Sequence, residues 1–102
     1  MSKLSLLSDA VLEDAAECLK VMAHPVRLRI VEILMQGEFP VNRIAEICRL
    51  SPHQTCEHLR LLKRQGFLAS ERRSRSVYYK ITSPRLPRMI ECVRGTCGKS
   101  KQ

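Results

Sequence analysis

Between residues 60 and 88 the chain carries nine basic side chains, Arg60, Lys63, Arg64, Arg72, Arg73, Arg75, Lys80, Arg85 and Arg88, against one acid, Glu71. Residues 1–59 carry six basic and eight acidic side chains, so the net +8 of this 102-residue chain is concentrated in that short stretch. Protein surfaces ordinarily mix the two signs, and a one-signed run of this density is the footprint of a polyanionic partner. Just upstream lie side chains able to hydrogen-bond base edges: Gln54 can pair bidentately with adenine, Glu57 can accept from cytosine, and His53 and Thr55 can make shorter contacts. Arg60, Lys63 and Arg64 are suited to phosphates, and Arg72, Arg73 and Arg75 to backbone or minor-groove contacts. Aromatic residues make up only 4% of the chain, too few for a stacking platform on single strands, which favours double-stranded DNA.

The second set of reactive residues is five cysteines, Cys18, Cys48, Cys56, Cys92 and Cys97. An odd count without secretory context argues for free thiols in a cytoplasmic protein rather than a disulfide framework. No apolar run approaches the roughly 18 residues of a membrane span, since Glu32 interrupts Leu28–Met35 and Asp9 ends Leu4–Leu7. Cys92 and Cys97 are the pair closest in sequence, yet about 140° apart on a continuous helix, so they converge only if Gly95 ends that helix and the chain turns back. Cys48 falls on an apolar helix face, and Cys56 flanks the polar face of the next helix. Three scattered histidines and no Cys-x-x-Cys argue against a closed zinc site. His24 stands before Pro25 in a turn, placed to satisfy backbone groups, while His58 lies at the edge of a packed face. A cysteine paired with His53 or His58 is the one conceivable catalytic arrangement, and no nucleophile elbow, phosphate loop or carboxylate pair supports it, so the chain reads as a binding protein rather than an enzyme.

Positioning these residues requires a mainly α fold with a small β-hairpin. Ser8–Met22 places Val11, Leu12, Ala15, Ala16, Leu19 and Met22 at helical spacing, with acids near its start where the helix dipole favours them. Pro25 opens a second helix, Val26–Gln36, which Gly37 stops, and residues 41–49 form a short third. The fourth begins with Ser51 as N-cap and Pro52 at its first position, runs through His53–Gln65, and ends at Gly66. At about 100° per residue, Thr55, Leu59 and Leu62 share its packed face, opposite His53, Glu57, Arg60 and Arg64. Phe67–Glu71 and Val77–Ile81 are β-prone runs joined by Arg72-Arg73-Ser74-Arg75-Ser76, a hairpin tipped with three arginines. A last helix spans about 85–94 and is ended by Gly95. The whole chain, 1–102, reads as one winged helix-turn-helix domain of about five helices and a two-stranded wing.

The run Lys20-Val21-Met22-Ala23-His24-Pro25-Val26-Arg27-Leu28-Arg29-Ile30 resembles the signature of the ArsR/SmtB repressors, and the likeness continues through Ile44-Ala45-Glu46, Leu50-Ser51, His58-Leu59-Arg60-Leu61-Leu62, Gly66-Phe67-Leu68 and Val77-Tyr78-Tyr79. That resemblance implies a homodimeric repressor that leaves its operator when a metal, metalloid or reactive sulfur species binds. It also implies that the terminal helices, about 8–22 and 85–94, form the dimer interface, through Leu12, Ala16 and Leu19 on the first and Leu86, Met89, Ile90 and Val93 on the last. Cys18 would then approach Cys92 or Cys97 of either subunit, and three thiolates suit a soft ion such as arsenite or Cu(I). Two thiols could instead form a disulfide or polysulfide bridge.

The chain departs from the family at its sensing positions. Pro40-Val41-Asn42 stands where some members carry cysteine-valine-cysteine, and Glu32 stands where persulfide sensors carry the partner of a cysteine like Cys97. The 85–94 helix lacks the Asp and His ligands of the zinc sensors. A constitutive DNA-binding protein with no effector is therefore the alternative expectation.

Overall fold

The computed structural model describes residues 4–97. Their element order is α1 (Asp9–Met22), α2 (Pro25–Leu34), β1 (Phe39–Pro40), α3 (Val41–Cys48), α4 (Pro52–Arg64), β2 (Leu68–Arg73), β3 (Ser76–Ile81) and α5 (Arg85–Thr96).

Local chemistry explains most boundaries. The Ser8 hydroxyl accepts from the Val11 amide to open α1, and the His24 ring accepts from the Val26 amide through Nδ1 to open α2. Gly37 stands at φ 143°, a conformation that disfavours side chains, and turns the chain away from α2. Between α3 and α4, Arg49 takes the left-handed conformation, φ 60° and ψ 43°. The Leu50 amide reaches back 3.0 Å to the Ala45 carbonyl, closing the turn. Ser51 then caps α4, so two helix termini are satisfied within three residues.

The core gathers α2 (Ile30, Val31, Ile33, Leu34), α3 (Ile44, Ala45) and α4 (Leu59, Leu62) with Phe67, Leu68 and Tyr79 of the sheet region. Leu86 and Ile90 of α5 complete it from one side, and Cys18, Val21 and Met22 bring in only the last turns of α1. The other apolar side chains of α1 lie open: Val11, Leu12 and Leu19 are about half exposed, at 48%, 50% and 59%.

One expectation is extended and three are corrected. The sheet has three strands, ordered β1-β3-β2, because Phe39 and Pro40 pair with Tyr79 and Tyr78 and so extend the two-stranded wing. The hairpin turn is only Ser74-Arg75, with Arg73 paired to Ser76, so Arg72 and Arg73 belong to a strand rather than a loop. Gly95 does not end α5, which continues to Thr96. Leu86 and Ile90, expected at the dimer interface, are buried in the chain's own core, which leaves half-buried Met89 and 37%-exposed Val93 as the outward part of that stripe.

Candidate nucleic-acid interface

Helix α4 is built as a presented element. Thr55, Leu59 and Leu62 anchor it in the core, while His53, Gln54, Glu57, Arg60, Lys63 and Arg64 are exposed. Its N-terminus is held by a reciprocal capping box: the Ser51 hydroxyl accepts from the Gln54 amide at 3.1 Å, and Gln54 Oε1 accepts from the Ser51 amide at 3.2 Å. Gln54 is thus at the exposed leading end of the helix with its carbonyl oxygen engaged in the cap and its NH2 available as a donor. His53 Nε2 lies 3.7 Å from Glu57 Oε2, so these two side chains project together one turn apart.

Thr55 is not on this surface. It is fully buried, and its hydroxyl donates to the Ser51 carbonyl at 2.9 Å, so it supports the capping turn and cannot reach a base.

The other end of α4 is tied to the wing by Lys63, whose Nζ donates to Ser70 Oγ at 2.7 Å. Arg72 and Arg75 are exposed on the hairpin. Arg73 is engaged: it pairs with Glu38 and Glu71 and lies over the Tyr78 ring, 4.7 Å from its centroid. The two carboxylate hydrogen bonds, Glu38 first, push the Arg73 pKa further up from an already high value.

Sequence reasoning missed a link behind α4. Arg27 of α2 donates through Nε to His58 Nδ1 at 3.3 Å and through a terminal nitrogen to the Val21 carbonyl at 3.0 Å. His24 meets His58 edge-on, with ring centroids 4.8 Å apart. Burial, then His24 and Arg27, lower the His58 pKa, so the neutral ring accepts from Arg27.

The thiols are dispersed. Cys18 is 8% exposed and packed in the core, Cys48 is half-buried with its pKa raised by burial, and Cys92 and Cys97 are exposed. Because α5 runs through Gly95, the turn needed to bring Cys92 and Cys97 together within one chain is not made. Cys97 instead borders a cleft of about 450 Å³ between α2 and α5, shared with Arg29, Glu32 and Arg94. Glu32 bonds Arg29 and lies 3.6 Å from Arg94. Among the described residues, no three His, Cys, Asp or Glu side chains are grouped to hold a metal ion within the chain. No helix among them is long and apolar enough to cross a membrane.

A capped, exposed helix followed by a basic wing defines a winged helix-turn-helix DNA-binding regulator. Comparison with known proteins agrees. Residues 22–71 match a helix-turn-helix domain family. The transcriptional repressor PagR of Bacillus anthracis is 38% identical over 82 residues, covering 78% of this chain and 81% of PagR. Reduced HlyU from Vibrio cholerae superposes with a TM-score of 0.80 at 29% identity, over 87% of this chain and 95% of that one. The homodimeric winged helix-turn-helix DNA-binding domain of a "possible ArsR-family transcriptional regulator" from Mycobacterium bovis gives 0.78 at 26% identity, over 100% and 94%. The chain belongs to the ArsR/SmtB family of winged helix-turn-helix transcriptional regulators, which are DNA-binding proteins and not enzymes.

Proposed function

We propose that the chain is a homodimeric repressor that places α4 of each subunit in the major groove of double-stranded operator DNA, with the wing alongside. The observation that carries this reading is the division of α4 into a buried face and an exposed polar and basic face, capped at the end that enters the groove. Gln54, His53 and Glu57 face base edges, with the Gln54 amide nitrogen as donor. Arg60, Lys63 and Arg64 contact phosphates, and Arg72 and Arg75 reach the backbone or minor groove from the wing. The exposed apolar side chains Val11, Leu12, Leu19 and Val93 form the dimer surface on the terminal helices. The homodimeric state of the Mycobacterium bovis neighbour supports that arrangement.

Release from DNA is proposed to follow reaction or ligation of the exposed C-terminal thiols, Cys92 and Cys97, by a thiophilic metal or metalloid, an oxidant or a reactive sulfur species. Cys97 borders the α2–α5 cleft, so a group added there alters how α5 seats on α2. Cys18, packed in the core, acts as a small apolar residue. A second reading, constitutive DNA binding without an effector, is favoured by Glu32: it occupies the α2 side of the cleft and is already paired with Arg29 and Arg94.

The experiment is selection of a binding sequence from a random duplex library, followed by titration of the complex with arsenite, Cu(I), Zn(II), peroxide and polysulfide. Release by one of these, lost in Cys92→Ser or Cys97→Ser but kept in Cys48→Ser, supports the sensor. Affinity unchanged by all five leaves the constitutive regulator. No enriched sequence refutes both.

A further inference from the structure

Three arginines follow one another around the wing, and their surroundings differ. Arg73 is approached from three separate stretches of chain. Glu38, in the loop before β1, pairs with its Nη2. Glu71, two residues earlier on β2, accepts from Nε at 3.2 Å and from Nη2 at 3.0 Å. Tyr78 on β3 lies beneath the guanidinium, 4.7 Å from the ring centroid to the guanidinium carbon. Glu71 and Tyr78 are register partners across β2 and β3, and Tyr78 in turn faces Pro40 of β1, so the clamp spans all three strands. The ion pairs among the described residues include neither Arg72 nor Arg75.

Carboxylate and phosphate present a guanidinium with the same geometry of acceptor oxygens. A guanidinium that already holds two carboxylates has its Nε–H and both Nη2 hydrogens committed. Moving it to a DNA phosphate would leave Glu38 and Glu71 unpaired beside a polyanion. We propose that Glu38 and Glu71 act as internal substitutes for phosphate, making Arg73 a positioning residue that fixes the wing to the sheet and withholds one cation per subunit from the DNA backbone. Non-specific affinity depends on the number of phosphates neutralised, so the clamp lowers binding to arbitrary sequence while base reading by α4 is untouched. The inference rests on the DNA-binding reading above.

The test is the salt dependence of binding to a fixed random-sequence duplex, followed by fluorescence anisotropy, for four proteins: wild type, Arg73→Gln, Glu38→Gln/Glu71→Gln, and the triple variant. Gln at position 73 removes the charge and the guanidinium that lies over Tyr78 while keeping a polar side chain on the strand. Arg73→Gln should leave the slope of log affinity against log salt unchanged. The double glutamine variant should steepen it by about one unit per subunit bound, and the triple variant should return it to the wild-type value. Amide exchange across the β2–β3 ladder reports whether the hairpin stays folded. A slope that flattens by about one unit per subunit in Arg73→Gln, with ladder protection intact, overturns the inference. So does an unchanged slope in the double glutamine variant, which keeps Arg73 and is decisive even if Arg73→Gln loosens the hairpin. Absence of salt-dependent binding in every protein overturns the DNA-binding reading itself, and the inference with it.

Discussion

The most quantitative consequence of the proposed interface is its response to salt. Arg60, Lys63, Arg64, Arg72 and Arg75 are all exposed on α4 and the wing. Lys63 spends one hydrogen bond on a neutral hydroxyl and keeps its charge outward. If each neutralises one phosphate, a dimer releases about ten counterions, and log affinity should fall with log salt at a slope of about −9, or about five orders of magnitude between 50 and 200 mM. Arg60→Ala removes two of these contacts per dimer and should flatten the slope by about two units, equally for operator and random DNA. Its side chain is exposed and outside every ion pair among the described residues, so folding stability should stay within about 0.5 kcal/mol of wild type. Anisotropy titrations over a salt series give the slope, and urea unfolding gives the stability. An unchanged slope, or a loss confined to one sequence, would show that Arg60 does not contact the backbone and that the phosphate-binding face has been misplaced.

Three further outcomes are expected. Ser51→Ala removes one half of the α4 capping box and should cost about 1 kcal/mol in urea unfolding, whereas Gln54→Glu keeps the capping acceptor but loses the amide donor, so it should retain stability and weaken operator binding. Equal destabilisation by both substitutions would refute the separation. Leu12→Glu/Leu19→Glu places charges on the exposed apolar face of α1; covering each half-exposed leucine contributes about 1 kcal/mol or more, four leucines act per dimer, and sedimentation should show dimerisation weakened more than about 100-fold. A monomeric wild type at micromolar concentration contradicts the proposed dimer. Because the His58 pKa is lowered from its ordinary 6.5 by burial, His24 and Arg27, the neutral ring's contribution to stability is complete above that value and is lost as pH falls through the depressed folded pKa. Unfolding midpoints at pH 7.5 and 5 should therefore differ less in His58→Asn than in wild type, and an identical difference would refute the link.

The helices were legible because their signals are local. Ser51-Pro52 announces α4 and its cap, and angular arithmetic alone separates Leu59 and Leu62 from Arg60 and Arg64. The same arithmetic puts Thr55 on the packed face, yet its hydroxyl suggested a base contact; the structure gives that hydroxyl to the Ser51 carbonyl, a partner four residues back. Strand β1 is two residues long and has no period to read, so its pairing with Tyr78 and Tyr79 is visible only once the chain has folded. Gly95 reads as a helix stop, but the glycine stop works through a left-handed turn of the backbone, and Gly95 is not among the positive-φ residues. Leu86 and Ile90 fit a helical apolar stripe whether it faces a partner or the chain's own core, and periodicity does not distinguish the two.

What the sequence held least visibly are the contacts that join distant segments, and these connect the proposed effector region to the DNA surface. Arg27 grips the end of α1 through the Val21 carbonyl and the back of α4 through His58, so one α2 side chain couples the proposed dimer helix to the reading helix. Helix α5 meets α1 through Arg85 and Asp14, 3.6 Å apart, and meets α2 through Arg94 and Glu32 beside Cys97. Leu86 and Ile90 plant the first half of α5 in the core, so a group added at Cys97 acts on the exposed second half, where Val93 faces outward. In a symmetric dimer a small rotation there is doubled at the two α4 helices, which must remain at the spacing of successive major grooves to bind together. A coupling of about 1–3 kcal/mol is then enough to change operator affinity by about 5- to 150-fold, and no rearrangement of the core around Ile30, Ile44 and Leu59 is needed.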